Sequence, residues 1–523
     1  MDMGTSSTRL WLCDGDEEIA YVNDRFGAGY RKKNGAADFF EKTNSLIDKI
    51  LSSASLKRGE IECMIVSGMG TSEIGISEIP HIELPVDKYT LARSVVETRI
   101  HEIPDLNLLC VPGVKQTKGE ELDDIMRGEE TEIFGILDFI GEKRSCTIVL
   151  PGTHNKVVKI NEKGKIESFR TAMSGECIDL IVKNSILSGS VTHNFEIVRN
   201  YVLLGADDAS KNGLTNTLFK IRVMSKNGID IDSLSSYLYG AVLSQDIPNI
   251  ISNANGDRIY IGGNRNFRRV LTVLLRNEKV IELSDEISAN ATMRGLAGIY
   301  SIYGRYTSRS EIIKTVESEK LIAIIRNPNL ETLFDAVDAL YEGGVRLIEV
   351  TFDRSGKISS EKTAEIINSL CKKYRGKIHI GAGTVTSLKE VDLACRAGAK
   401  YIISPNVDKD IISYTRNIGL VSIPGAYTPT EIAAAKDAGA DFIKLFPADG
   451  VSFKYVKAVK SPLSDVKLIA VGGVDPCNAK SFLDNGYSGV GVGSNLYDQR
   501  LVETGEFSSL TARAKAYVDA LNS

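Results

Sequence analysis

From Leu321 onward the chain repeats one unit. Apolar, β-rich runs recur at LIAIIR (321–326), LIEVTF (347–352), IHIGAGT (378–384), YIISP (401–405), LVSIPGA (420–426), FIKLFPA (442–448), KLIAVGG (467–473) and GVGVGSNL (489–496). They lack polar alternation, so they read as strands covered on both faces. Helical stretches separate them. One, TPTEIAAAKDAGA, opens on a threonine N-cap signal and closes on glycine. Eight βα units in roughly 200 residues match a closed (β/α)8 barrel. An open doubly wound sheet is the alternative, and it usually has fewer strands.

Residues 1–296 lack that beat. Hairpin-like strands alternate there with long helical stretches. DMGTSSTRLWL (2–12), CTIVLPGTHNKVVKI (146–160) and RIYIGGN (258–264) each join a strand to a Gly/Thr/Ser turn. The stretch 296–314, LAGIYSIYGRYTSRSEIIK, shows no strong core pattern. The expected division is therefore a domain at 1–296, a linker at 297–318 and the barrel at 319–523. At 523 residues the chain exceeds one hydrophobic core.

Composition excludes several roles. A net charge of −5 gives no support for a nucleic-acid or membrane-surface partner. No run of 18 apolar residues suggests a transmembrane helix. The N-terminal stretch has no basic region followed by an apolar run, so no signal peptide is expected. Eight scattered cysteines without a CxxC pair read as reduced thiols in a cytoplasmic protein. Five histidines, none near a cysteine pair, make a zinc site unexpected.

The chemistry concentrates on a lysine inside an apolar strand. Lys444 sits within FIKLFPA, where an ammonium group is costly unless it has work to do. Glu349 sits within LIEVTF. These are the sixth and second strands, and even-numbered barrel strands share inward layers. A partly desolvated amine beside a carboxyl suits Schiff-base chemistry on a ketone, with the carboxylate as general base. A structural Lys–Glu ion pair is the alternative. The turns VGGVDP (with Gly472 and Gly473) and GVGSNL (with Gly493 and Ser494) end strands seven and eight, where barrels bind phosphate.

In the N-terminal half there is no GxxxxGK[ST]. Two Gly-Thr turns offer anion nests instead: Gly4, Thr5 and Ser6, then Gly152 and Thr153. Facing each other across a cleft, they would hold the β- and γ-phosphates of ATP, with Asp2 as a ligand for Mg2+. A full strand is expected before the first nest. Met1 stands directly before Asp2, so that strand is cut short or absent.

Two resemblances follow from these motifs. Residues 319–500 resemble the class I 2-dehydro-3-deoxy-6-phosphogluconate/6-phosphogalactonate aldolases. The likeness runs through IEVTF, GAGTV, ISPN, IPGAYTPTE, IKLFPA and both glycine turns. It implies Lys444 as the Schiff-base lysine, Glu349 as the base, Thr384 against the pyruvyl portion and Arg326 near the substrate. Thr351, Pro405 and Phe446 lie in the matching stretches and are expected to line the same site. It also implies a homo-oligomer, a trimer through the barrel. Many members follow the glutamate motif with Leu-Arg, whereas this chain has Phe352-Asp353-Arg354.

Residues 1–296 have the layout of actin/hexokinase-like sugar kinases and resemble 2-dehydro-3-deoxygalactonokinase. This likeness runs through GTSSTRLWL, SGMGTSEIG, DDIMRGEETEIFG, LPGTHNKVVKI, FRTAMSGE and IYIGGN. It implies ATP-dependent phosphorylation of a keto-deoxy sugar acid. Gly262, Gly263 and Asn264 would lie against adenosine, and Ser67 and Gly68 in the substrate site. Asp124 is the expected base, with Asp123 or Glu129 as replacements. Lys156 and Arg9 would meet phosphate or the sugar carboxylate, or be surface charges. His154 is a ligand or a local hydrogen-bond partner. The two resemblances are consecutive steps, so the expected protein is a bifunctional kinase and aldolase. The alternatives are an aldolase with an inactive kinase-like sensor, a kinase on a scaffold barrel, or activity on the gluconate epimer.

Overall fold

The computed structural model describes residues 1–523 except Asp16, Glu120, Lys143 and Asn329. Two compact units are present, Met1–Ser301 and Ile302–Ser523.

The first unit is built from two sheets of one topology. In each, a strand forms an antiparallel hairpin on one side and takes parallel strands on the other. One sheet runs Glu17–Asp24, Thr8–Asp14, Asp2–Met3, Met64–Gly68, Leu108–Cys110, Val96–Thr98. The other runs Ile166–Ala172, Asn155–Ile160, Cys146–Leu150, Arg258–Ile261, Val280–Glu282. The two Gly-Thr turns are the equivalent hairpin turns of the two sheets. The strand ahead of the first turn is only two residues long, Asp2–Met3, flanked by Thr8–Asp14 and Met64–Gly68. A smaller three-stranded sheet holds Ile82–Glu83, Val114–Lys118 and Glu121–Met126. Each large sheet has its own apolar core, one around Phe26, Phe39 and Val66, the other around Tyr237, Leu238 and Ile259.

The second unit is the closed barrel: β1 (Leu321–Ile325), β2 (Leu347–Thr351), β3 (His379–Gly383), β4 (Tyr401–Ser404), β5 (Val421–Ala426), β6 (Ile443–Leu445), β7 (Leu468–Val471) and β8 (Gly489–Val492). Adjacent strands pair in parallel, and β8 returns to β1. The barrel core holds Ile322, Ile324, Tyr401, Ile423, Phe442 and Ile469. The helix after Thr428 carries a full capping box with Glu431, as its sequence signalled.

The expected linker falls on a helix. Residues 297–318 lie inside one continuous helix, Asp285–Glu319, and the two units divide within it. Ile312 and Val316, one helical turn apart, join the barrel core. Their apolar stripe is narrow and set among polar residues, so the sequence reads as featureless while the packing is specific.

No disulfide forms among the described cysteines, and no described helix is long and apolar enough to cross a membrane.

Candidate active sites

In the barrel, Lys444 and Glu349 are both nearly buried, 8% and 1% exposed. Glu349 pairs in register with Gly381 of β3, and Lys444 with Gly425 of β5. Burial raises the Glu349 carboxyl above its usual range, while the charges of Lys444 and Arg326 pull it back down. Its Oε2 is buried and has no hydrogen-bond partner. An unpartnered buried oxygen is costly in a purely structural ion pair. It fits a group held ready for a proton. The Lys444 ammonium lies 5.1 Å from the centre of the Phe446 ring, which is partly exposed where β6 ends.

The other expected residues gather at the same end of the barrel. Arg326, Thr384, Pro405 and Phe446 directly follow β1, β3, β4 and β6, and Thr351 closes β2. Thr384 has φ +56°, a left-handed conformation that a threonine rarely adopts. Gly472 and Gly473 follow β7 with φ of +108° and +70°, and Gly493 and Ser494 follow β8. The two turns present backbone N–H groups at neighbouring strand ends, a geometry suited to a phosphate.

In the first unit, a cleft of about 710 Å³ is lined by Asp2, Gly4, Thr5, Arg9, Gly68, Glu129, Glu132, Gly152, Thr153, His154, Lys156 and Gly263, among others. Both nests therefore open on one cavity. Asp2 accepts from Arg9 at 2.7 Å, and Arg9 also donates to Thr292 at 3.1 Å. Gly68 has φ +65°, and a Cβ there would fall 2.8 Å from Asp2 Oδ1, so only glycine lets the strands close on the carboxylate. Lys156 is 6% exposed and its Nζ stands 3.8 Å from Glu129. Neither Lys156 nor Arg9 is a free surface charge. His154 bonds Glu176 at 3.0 Å on the rim.

Several expected residues fall outside this cavity. Asp124 lies on the small sheet, where its carboxylate accepts from the Thr171 amide and hydroxyl, both at 2.8 Å. Asp123 bonds Gln116 and Arg170. Of the three expected base candidates, Glu129 lines the cleft, and it starts the helix Glu129–Ile140. Asn264 caps the helix Arg265–Leu274 by accepting from Asn266, and Gly262 packs against Leu150. Ser67 is buried behind Asp2, 3.4 Å from its Oδ1. Ser6 is exposed beside the first nest without lining the cavity.

Glu132, Arg127 and Asp246 matter as well. Glu129 and Glu132 are three apart and share a helix face, a signal legible in GEETE, residues 128–132. Burial raises Glu129 above its usual range and pushes Glu132 up to about 7, with Asp2 adding to both shifts. Arg127 ties the Thr71 and Ile79 carbonyls together at 2.6 and 2.8 Å. Asp246 is buried and accepts from Asn155 and Ser174, bracing the second nest.

Among the described residues no group of three His, Cys, Asp or Glu side chains could hold a metal alone. Asp2 with phosphate oxygens still fits Mg2+, which commonly takes one or two carboxylates plus phosphates and water.

The model of the 2-keto-3-deoxy-galactonokinase family matches residues 2–299, and that of the KDPG and KHG aldolases matches residues 312–513. The chain is 34% identical over 204 residues to a 2-dehydro-3-deoxy-6-phosphogalactonate aldolase of Escherichia coli, covering 38% of this chain and 96% of that protein. It is 32% identical over 181 residues to a 2-dehydro-3-deoxy-phosphogluconate aldolase of Pseudoalteromonas atlantica, covering 34% and 81%. A solved structure of a candidate 2-dehydro-3-deoxygalactonokinase from Sinorhizobium meliloti is 23% identical with TM-score 0.48, covering 57% of this chain and 94% of that one.

Proposed function

We propose a two-step reaction for this chain, which belongs to the 2-keto-3-deoxy-galactonokinase family through its first unit and to the KDPG and KHG aldolases through its barrel. It is a bifunctional kinase and aldolase of galactonate metabolism. The proposal concerns substrate and mechanism: phosphorylation of 2-dehydro-3-deoxy-D-galactonate at its terminal hydroxyl, then cleavage of the 6-phosphate to pyruvate and D-glyceraldehyde 3-phosphate.

In the first step Glu129 accepts the proton of the attacking hydroxyl. Its raised carboxyl and its place in the cleft support that role over Asp124. Both nests hold phosphate oxygens of ATP through backbone N–H groups, and Lys156 adds positive charge. Asp2 is the residue that would hold Mg2+. Bound there, the ion would neutralise part of the phosphate charge.

In the second step the Lys444 amine attacks the C2 ketone. Loss of water gives an iminium. Glu349 takes the proton of the C4 hydroxyl, the C3–C4 bond breaks, and its electron pair enters an enamine as the aldehyde leaves. Protonation at C3 and hydrolysis release pyruvate and restore the amine. The carrying observation is the buried Lys444 with Glu349, whose Oε2 has no partner. The same reading includes a cytoplasmic setting and self-association through the barrel, which light scattering tests.

The experiment is pyruvate release from unphosphorylated substrate, with and without Mg·ATP, in the full chain. ATP-dependent release supports the series. Release only from supplied 6-phosphate removes the kinase step. Borohydride reduction with pyruvate should mass-label Lys444. An unlabelled Lys444 overturns the Schiff-base mechanism.

A further inference from the structure

The arginine after the β2 glutamate motif does not point its guanidinium freely into the barrel mouth. Asp353, the residue preceding it, accepts from Ser355 N at 2.8 Å, Lys357 N at 2.7 Å and Ile358 N at 2.9 Å, and organises residues 353–358 as a tight loop. Arg354 is turned toward the helix Leu388–Ala397, which follows β3. Its Nη1 and Nη2 donate to the two Glu390 oxygens at 2.8 and 2.7 Å, a two-point pairing. Nη2 also donates to the Thr384 carbonyl. Glu390 is buried, its side chain 6% exposed, and accepts from Thr386 N at 2.9 Å. Its own amide donates to Ser387, the cap of the helix Leu388–Ala397.

These contacts converge on residues 384–387. Thr384 opens that segment with φ +56°. Such a conformation is strained for a threonine and persists only where its surroundings hold it. Here the carbonyl on one side is gripped by Arg354, and the amide two residues on is gripped by Glu390. The strand before it is tied as well, since Phe352 N donates to Gly383 O at 2.8 Å.

We infer that Arg354 and Glu390 are a positioning pair for the aldolase step: they hold Thr384 in its left-handed conformation at the end of β3, beside Glu349, and Arg354 does not itself bind the substrate carboxylate. This rests on the aldolase mechanism given above. A lysine at 354 keeps the charge but offers one point of contact where the guanidinium offers a planar fork. A glutamine at 390 keeps a carbonyl for Thr386 but loses the paired charges.

The test is a double-mutant cycle in the full chain: R354M, E390Q and the pair, assayed for cleavage of the 6-phospho substrate. Residues acting as one unit give non-additive losses. Each single variant and the double should lose the same amount in kcat, about 10²-fold at most for a misplaced contact, with KM little changed. R354K should fall between wild type and R354M. Borohydride trapping of pyruvate on Lys444 reports whether each variant barrel is folded and separates failure of this inference from failure of the Schiff-base mechanism. Two results overturn it: unchanged activity in E390Q alongside a raised KM in R354M, or additive losses in the double variant.

Discussion

Gly383 leaves the space that the Glu349 carboxylate occupies: a Cβ built on it would fall 1.7 Å from Glu349 Oε1. No side chain fits there without displacing the proposed base. G383A should therefore cut cleavage by about 10²-fold, the cost of misplacing a reacting group by about 1 Å. Kinase turnover in the same preparation should be unchanged. Separate coupled assays for the two steps check both halves.

The raised Glu349 carboxyl gives a pH signature. As a base it works only when deprotonated, so cleavage should fall as pH drops through that raised value, above the ordinary carboxylate range. Stability runs the other way. A group whose folded pKa is raised binds protons more tightly in the folded state, so its stabilisation is complete below the unfolded pKa and is lost as pH rises through the folded value. E349Q should abolish cleavage and raise the barrel melting temperature at pH 8 more than at pH 4. A pH–rate profile and melting curves at the two pH values check it.

Glu129 and Asp124 should part company. E129Q should lower kinase kcat by about 10²–10⁴-fold, the range for losing a general base. D124N should cost about 1 kcal/mol of stability through weakened bonds to Thr171 and leave kcat within about tenfold of wild type. Steady-state kinetics with saturating ATP check the contrast. Comparable losses in both variants would return Asp124 to the reaction.

Ile312 and Val316 test the helix that was expected to be a linker. Each is 2% exposed or less and packs in the barrel core. I312A should destabilise the second unit by about 2–5 kcal/mol, the cost of a large-to-small core change. A true linker position would change little. Two-transition denaturation, read by aldolase and kinase activity separately, checks it.

Much of the barrel site was legible because strand order and strand position are encoded locally. Lys444 and Glu349 stand out as charges in apolar runs, and both are buried on even-numbered strands. The glycine turns were legible because backbone freedom is a property of the residue itself. The kinase base was harder. Asp123, Asp124, Glu129, Glu130 and Glu132 crowd one stretch, and the sequence offers no way to tell which carboxylates a hairpin turns away and which a helix start turns into the cleft.

The sequence by itself determined the two-part organisation, the barrel, the two Gly-Thr turns and the charged Lys444 and Glu349 within apolar strands. Each follows from periodicity or from a residue type whose burial is costly without a purpose. Only the tertiary structure decided that Glu129 faces the cleft, that Gly383 makes room for Glu349, that Arg354 turns to Glu390, and that Ile312 and Val316 belong to the barrel core. These depend on which distant segments meet. Contacts between residues tens of positions apart are set by packing and shared hydrogen bonds, and no local pattern in either partner records them.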